Sequence, residues 1–89
     1  MKTLHKKLQF LTDIFWQVEE KKDLENLLKD ILTPQEIEAL YERLQIIKLL
    51  KQGYSQRQIA EKLWVSTTTA NRGSRVLKYW TGIFNKLKL

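Results

Sequence analysis

The spacing of apolar residues constrains the fold of this chain more than any other feature of its sequence. Leu4, Leu8, Leu11, Phe15 and Val18 follow one another at steps of four and three residues, which places them in one stripe along a helix. One proline and three glycines in 89 residues leave few positions that interrupt a helical pattern. We therefore expect an all-α fold of about six short helices in a single domain, residues 1–89.

Capping residues indicate where these helices begin and end. Thr33, Pro34 and Glu36 give the clearest start signal: an N-cap, a proline at the first helical position, and a carboxylate three residues after the cap. Gly53 is expected to end that helix, because glycine enters the left-handed conformation without a side-chain clash. The predicted helices cover residues 3–20, a short segment capped by Asp23, residues 34–52, 56–63 and 67–79, and a last short helix over about residues 82–89.

Two of the predicted helices lie unusually close together in the sequence. Ser55 and Ser66 are suited to cap the fourth and fifth helices, and only Trp64 and Val65 separate the end of one from the cap of the next. Two short helices joined by so tight a turn are typical of a helix-turn-helix, whose second helix enters the DNA major groove. Trp64 takes the turn position that is usually glycine. We expect the turn to differ in detail, since positive φ costs a bulky residue about 1 kcal/mol or more unless its ring packs.

Positive charge is concentrated in the same half of the chain. The net charge is +6, and residues 51–89 hold eight Lys and Arg against Glu61 alone. Such a block raises affinity for polyanions, nucleic acid first. There is no cysteine, which excludes disulfides and thiolate metal sites, and no apolar run is long enough to span a bilayer. These features predict a cytoplasmic protein that neither enters a membrane nor binds a metal.

Side chains suited to duplex DNA cluster on the two helices. Small polar groups in the first turn of the second helix can meet base edges, and Arg57 can reach guanine or phosphate. Cations around them can neutralise phosphates, although a merely solvated basic surface remains an alternative. The residues predicted to bind DNA are Gln56, Arg57, Lys62, Thr67, Thr68, Thr69, Asn71, Arg75 and Lys78.

The residue inventory argues against catalysis. His5 is the only histidine, and the absence of cysteine leaves no histidine-activated thiol or zinc set. No glycine-rich phosphate loop occurs. The sequence therefore predicts a protein that is not an enzyme and has no cofactor. A protein-interaction module that uses the apolar stripe without DNA remains the alternative from another functional class.

A set of short motifs is spread over about residues 32–78: Leu32-Thr33-Pro34-Gln35-Glu36, Ala39-Leu40, Arg43, Ser55-Gln56-Arg57-Gln58-Ile59, Arg72-Gly73-Ser74 and Leu77-Lys78. Together these motifs resemble the Trp repressor family. The resemblance implies an intertwined helical homodimer, double-stranded operator DNA with two-fold symmetry as partner, and L-tryptophan as corepressor. Residues 1–52 would then form the dimerisation helices, residues 55–79 the helix-turn-helix reading head, and residues 80–89 a C-terminal packing helix.

The resemblance also implies a ligand site. By this likeness Thr33 and Arg72 hold the corepressor carboxylate, the indole lies between Arg72 and Arg43, and Gly73 leaves room for the indole edge. A guanidinium suits both partners, because it pairs with carboxylates through two bonds and stacks on aromatic rings. Val76 lies where the family has a hydroxyl side chain that contacts the ligand ammonium. The loss of that hydroxyl removes about 0.5–1.5 kcal/mol of binding free energy if no other group replaces the contact.

Other interpretations of these residues stay open. Thr33 can be only a helix cap, and Arg43 can be a surface ion-pair partner of Glu36 or Glu42. In that case the protein would be a helix-turn-helix regulator of the same family that needs no ligand.

Overall fold

The computed structural model describes residues 2–79 and 81–89, with side chains for residues 3–75 and 81–89. Throughout this part of the chain the regular structure is helical and contains no strand, which confirms the all-α prediction. The helices are α1 (Lys2–Trp16), α2 (Lys21–Ile31), α3 (Pro34–Lys51), α4 (Gln56–Leu63), α5 (Thr67–Tyr79) and a 3₁₀ helix (Ile83–Asn85).

The chain forms two compact units, one ending at Ile37 and the other beginning at Glu38. In the first unit the apolar side chains of α1 and α2 are exposed or only half-buried, as Leu8 and Leu27 illustrate. On α2, Glu25 forms exposed ion pairs with Lys22 at 3.8 Å and Lys29 at 3.5 Å. Such exposed pairs contribute little to stability. None of the described residues of this unit is fully buried, so its described part lacks a closed core of its own.

The second unit contains the fully buried core. Ile46 from α3, Ile59 and Ala60 from α4, and Ala70 from α5 pack together, with half-buried apolar residues around them. Aliphatic burial of this kind is the main stabilising contribution in a small domain. Because all three helices contribute to one cluster, the position of α5 is set by its packing against α3 and α4.

Residues with positive φ follow two of these helices, α3 and α4. Gly53 has a φ of 95° after α3, and Trp64 has a φ of 58° after α4. After Trp64, the Val65 amide donates to the Ala60 carbonyl at 3.1 Å, the bond that closes a left-handed C-terminal cap. The backbone at Trp64 therefore has the left-handed geometry that a glycine commonly adopts, and a difference in the detail of the turn remains an expectation. The Trp64 ring is 95% exposed, so packing does not offset the strain.

Three predicted helix boundaries were wrong. The first helix ends at Trp16 rather than residue 20, because the amides of Gln17 and Val18 close a tighter last turn with i−3 carbonyls. Asp23 does not cap α2; Glu20 is the extended N-cap residue, and Asp23 lies in the first turn, where its charge favours the helix dipole. The last helix is only the 3₁₀ helix, which follows Gly82 at a φ of 93°.

Candidate nucleic-acid interface and adjoining cavity

Helices α4 and α5 pack against each other and form the predicted helix-turn-helix. Ser55 and Gln58 make a reciprocal capping box at the start of α4, as the sequence indicated. At the start of α5, the Ser66 hydroxyl accepts from the Thr69 amide at 3.0 Å, which confirms Ser66 as a cap. Both helices therefore begin at positions fixed by side-chain bonds.

One face of α5 is open to solvent while the opposite face is anchored in the core. Ala70 is 0% exposed, whereas Thr67, Thr68, Asn71 and Arg75 are exposed. The exposed side chains are short at the helix start and longer towards its end, so a narrow N-terminal end is available to enter a groove. Their contacts with DNA remain predictions.

A chain of hydrogen bonds joins the beginning of α4 to the middle of α5. Ser74 donates its hydroxyl to the Asn71 carbonyl at 2.7 Å and therefore accepts from the Gln56 side-chain amide at 3.0 Å. Gln56 is predicted to contact DNA, and here its amide binds Ser74. Sequence reasoning assigned no role to Ser74, although it noted the Arg72-Gly73-Ser74 motif. The bonds fix the distance between the two helices that are expected to meet DNA.

The cations of the helix-turn-helix whose side chains the structure describes are exposed. Arg57 lies 3.7 Å from Glu61, and both side chains are largely exposed, so solvent screens this ion pair. A DNA phosphate can therefore replace Glu61 as the partner of Arg57. The ammonium of Lys62 lies over the Tyr54 ring, 4.7 Å from its centre. Arg75 makes no ion pair within the described residues. The side chains of Lys78 and Val76, which the sequence analysis singled out, lie outside the described residues.

A cavity of about 390 Å³ opens between α3 and α5, within the second unit. It brings together three of the four residues predicted to bind a ligand, Arg43, Arg72 and Gly73. The residues lining it are Ala39, Glu42, Arg43, Ile46, Thr69, Arg72 and Gly73. Sequence reasoning missed Glu42 as a cavity residue, although its spacing from Ala39 and Ile46 places them on one face of α3.

Thr69 illustrates how α5 divides its residues between surfaces. It is half-buried, lines the cavity, and its hydroxyl is 2.9 Å from the Ser66 hydroxyl. Its predicted DNA contact remains a prediction, since the side chain is engaged at the start of the helix. Thr68 and Asn71, its neighbours on the outer side, are exposed.

Thr33, the fourth predicted ligand residue, belongs to the first unit and caps α3. Its hydroxyl accepts from the Glu36 amide at 3.1 Å, and its amide donates to the Glu36 carboxylate at 2.9 Å. The bond from the Thr33 amide, followed by that from its side chain, lowers the pKa of the Glu36 carboxyl. The capping interpretation of Thr33 is thus confirmed, and its ligand contact stays a prediction.

Two features are absent from the described part of the chain. No group of three or more His, Cys, Asp or Glu side chains could hold a metal ion. No helix in the described segments is both long and apolar enough to traverse a lipid bilayer.

Known proteins similar to this chain agree with the geometry. The family profile described as Trp repressor protein matches residues 6–87. A Trp operon repressor homolog of Vibrio vulnificus is 42% identical over 71 residues, which cover 79% of this chain and 70% of the relative. Homologs from Vibrio cholerae and Xylella fastidiosa, of the same description, are 42% and 37% identical over 71 residues, covering 79% of this chain and 69% and 77% of the relatives. No solved structure shows significant similarity.

The match covers nearly the whole described chain, including α3, the helix-turn-helix and the cavity residues. The chain therefore belongs to the Trp repressor family of DNA-binding transcription regulators, which are not enzymes.

Proposed function

We propose that this protein represses transcription by binding a two-fold symmetric operator as a homodimer, with L-tryptophan as corepressor. One observation carries the proposal: neighbouring faces of α5 present Thr68 and Asn71 to solvent and Arg72 and Gly73 to the cavity. A ligand in the cavity touches the helix that is to enter the groove. Filling the cavity therefore favours one position of that helix, which is how a small molecule can change affinity for DNA.

The DNA side of the proposal rests on exposure and charge. Thr67, Thr68 and Asn71 offer hydroxyl, methyl and amide groups to base edges at the start of α5. Arg57 and Arg75 are exposed cations that can bind phosphate or guanine. The matching of small polar groups to bases and of cations to the surrounding phosphates supports sequence-specific binding.

The ligand side rests on the cavity chemistry. Arg43 and Arg72 line it from different helices, and both guanidinium groups can pair with a carboxylate or stack on a flat ring. Ala39, Ile46 and Gly73 add apolar wall. A cavity of about 390 Å³ lies in the range of small-molecule sites, so an aromatic amino acid is a suitable occupant.

The homodimer is proposed from the surface of α1. Leu4, Leu8 and Leu11 keep about half of their surface exposed in the single chain, and the exposed Phe10 and Ile14 widen this apolar face. A contiguous apolar face of this kind marks an interaction surface. A second copy of the chain would cover it and bring two reading heads to one duplex.

The test begins with selection of duplexes from a random pool, followed by titration of the winner at about 150 mM salt with and without L-tryptophan. We expect a palindromic winner that binds at least about ten-fold tighter with L-tryptophan. Equal binding of a palindrome with and without L-tryptophan would support operator binding and contradict the role of L-tryptophan as corepressor. Failure to enrich any sequence would overturn operator binding and favour a protein-interaction module.

The dimer has its own test by sedimentation analysis of variants with matched charge. Leu8→Lys places a cation in the apolar face and should give monomers. Gln9→Lys adds the same charge beside that face on the same helix and should leave the dimer intact. Equal effects of both variants, or a monomeric parent protein, would contradict the proposed dimer.

A further inference from the structure

We propose that the Glu42 carboxylate binds the ammonium group of the ligand, so that the cavity selects a free amino acid over a simple carboxylic acid. This inference rests on the ligand site of the proposed function and assigns a role to a residue that the sequence analysis left out of it. Glu42 is half-buried on α3 and lines the cavity together with Arg43 and Arg72.

The three charged side chains of the cavity are not paired with one another. Within the described residues, Glu42, Arg43 and Arg72 form no ion pair and no side-chain hydrogen bond. A partly buried carboxylate without a partner is less favourable than a paired one, because it has lost part of its hydration. An ammonium group brought by a ligand would give Glu42 a partner of opposite charge, which it does not have among the described residues.

The distribution of groups around the cavity matches the parts of an α-amino acid. Two guanidinium groups can hold the carboxylate, and one carboxylate can hold the ammonium. The apolar contribution of Ala39, Ile46 and Gly73 suits an apolar side chain. A ligand with a carboxylate but no ammonium would satisfy the arginines and would leave Glu42 as a like charge nearby, which is unfavourable.

The spacing along α3 explains why a single helix supplies both signs of charge. Ala39, Glu42, Arg43 and Ile46 recur at three and four residues, so they share one face of the helix. Glu38 lies one turn before Glu42 on the same helix, is exposed and does not line the cavity. It therefore provides a matched control for the general effect of removing one negative charge from α3.

The experiment compares L-tryptophan with indole-3-propionate, which has the same ring and carboxylate but no ammonium group. Calorimetric titrations of the full chain at pH 7 would use the unchanged protein, Glu42→Gln and Glu38→Gln. We expect Glu42→Gln to weaken L-tryptophan about ten-fold or more, while indole-3-propionate binds equally well or tighter. Glu38→Gln should leave both affinities unchanged.

The opposite response of the two ligands separates recognition from structural damage. If Glu42→Gln leaves both affinities unchanged, or weakens both ligands equally, Glu42 does not bind the ammonium group. Either result would leave L-tryptophan as corepressor. If the unchanged protein binds neither ligand, the ligand site of the proposed function fails and the role of Glu42 fails with it.

Discussion

Gly73 of α5 faces Ile46 of α3 so closely that no side chain fits between them. A Cβ atom built on Gly73 would lie 2.3 Å from Cγ2 and 3.0 Å from Cβ of Ile46. Ile46 is 2% exposed and belongs to the core, so it has little room to move. The family resemblance implies that Gly73 leaves space for a ligand, and this remains a prediction. The missing side chain of Gly73 also lets the two helices approach each other.

Gly73→Ala should therefore destabilise the protein, although alanine favours a helix by about 1 kcal/mol over glycine. Overpacking of a tight core costs about 1–3 kcal/mol. We expect a net loss of about 1 kcal/mol in the free energy of unfolding, measured by urea denaturation. Adding Gly73→Ala to an Ile46→Ala background should cost less than adding it to the parent protein. An equal cost in both backgrounds would place the strain elsewhere.

Arg57 and Arg75 should differ in how their loss affects DNA binding. Arg57→Ala is expected to relax the sequence preference, with a loss of about 1–3 kcal/mol on the selected duplex and little on others. Arg75→Ala should lower the affinity for all duplexes alike. It should also reduce the slope of log affinity against log salt concentration by about one, the value expected for one phosphate contact. Titrations of matched and scrambled duplexes over a salt series measure both effects. If Arg57→Ala lowers the affinity for all duplexes equally, Arg57 does not recognise bases.

Trp64→Gly should stabilise the protein. The residue has a positive φ and an almost fully exposed ring, so its conformational strain of about 1–2 kcal/mol is not offset by packing. Glycine loses more backbone freedom on folding, which leaves a net gain of about 0.5–1 kcal/mol in thermal or urea unfolding. Trp64→Ala removes the ring but keeps the strained Cβ, and it should give no such gain. A similar gain in both variants would attribute it to loss of the exposed ring.

Acid should weaken the cap of α3 through Glu36. Its folded pKa is lowered by the hydrogen bonds from Thr33, so this contribution to stability is fully present above the ordinary glutamate pKa of about 4.3. It is lost as the pH falls below that value and through the lower folded pKa. The difference in unfolding free energy between the parent and Glu36→Gln should therefore shrink at low pH. Glu38→Gln, which removes a negative charge from the same helix without breaking a capping hydrogen bond, is the matched control for the loss of one charge.

Three of the four side-chain caps expected from the sequence are present in the structure, and the one expected at Asp23 is not. The caps at Thr33, Ser55 and Ser66 depend on atoms three residues apart, and all three have the predicted bonds. Two of the boundaries that failed lie where the apolar spacing continues beyond the helix, as at Val18, and the third is the start of α2, where Glu20 rather than Asp23 is the N-cap. Periodicity describes which face is apolar and does not by itself fix the last turn.

The residues of the candidate site divide in the same way. Arg43, Arg72 and Gly73 could be named from the family resemblance, and the structure brings them to one cavity. Glu42 and Ser74 could not be assigned from the sequence. Glu42 is one of several carboxylates on exposed helix faces until α5 is placed beside α3, and Ser74 meets Gln56 only because α4 and α5 pack together.

The sequence by itself determined that this chain is helical, where most of its helices start, and that a tightly joined basic helix pair lies in its second half. These properties follow from hydrogen bonds and apolar spacing within about one helical turn. Only the tertiary structure decided that α5 contributes to the core, the cavity and the exposed polar face at once. That arrangement depends on the approach of Gly73 to Ile46, a contact between residues far apart in the chain, which no local pattern encodes.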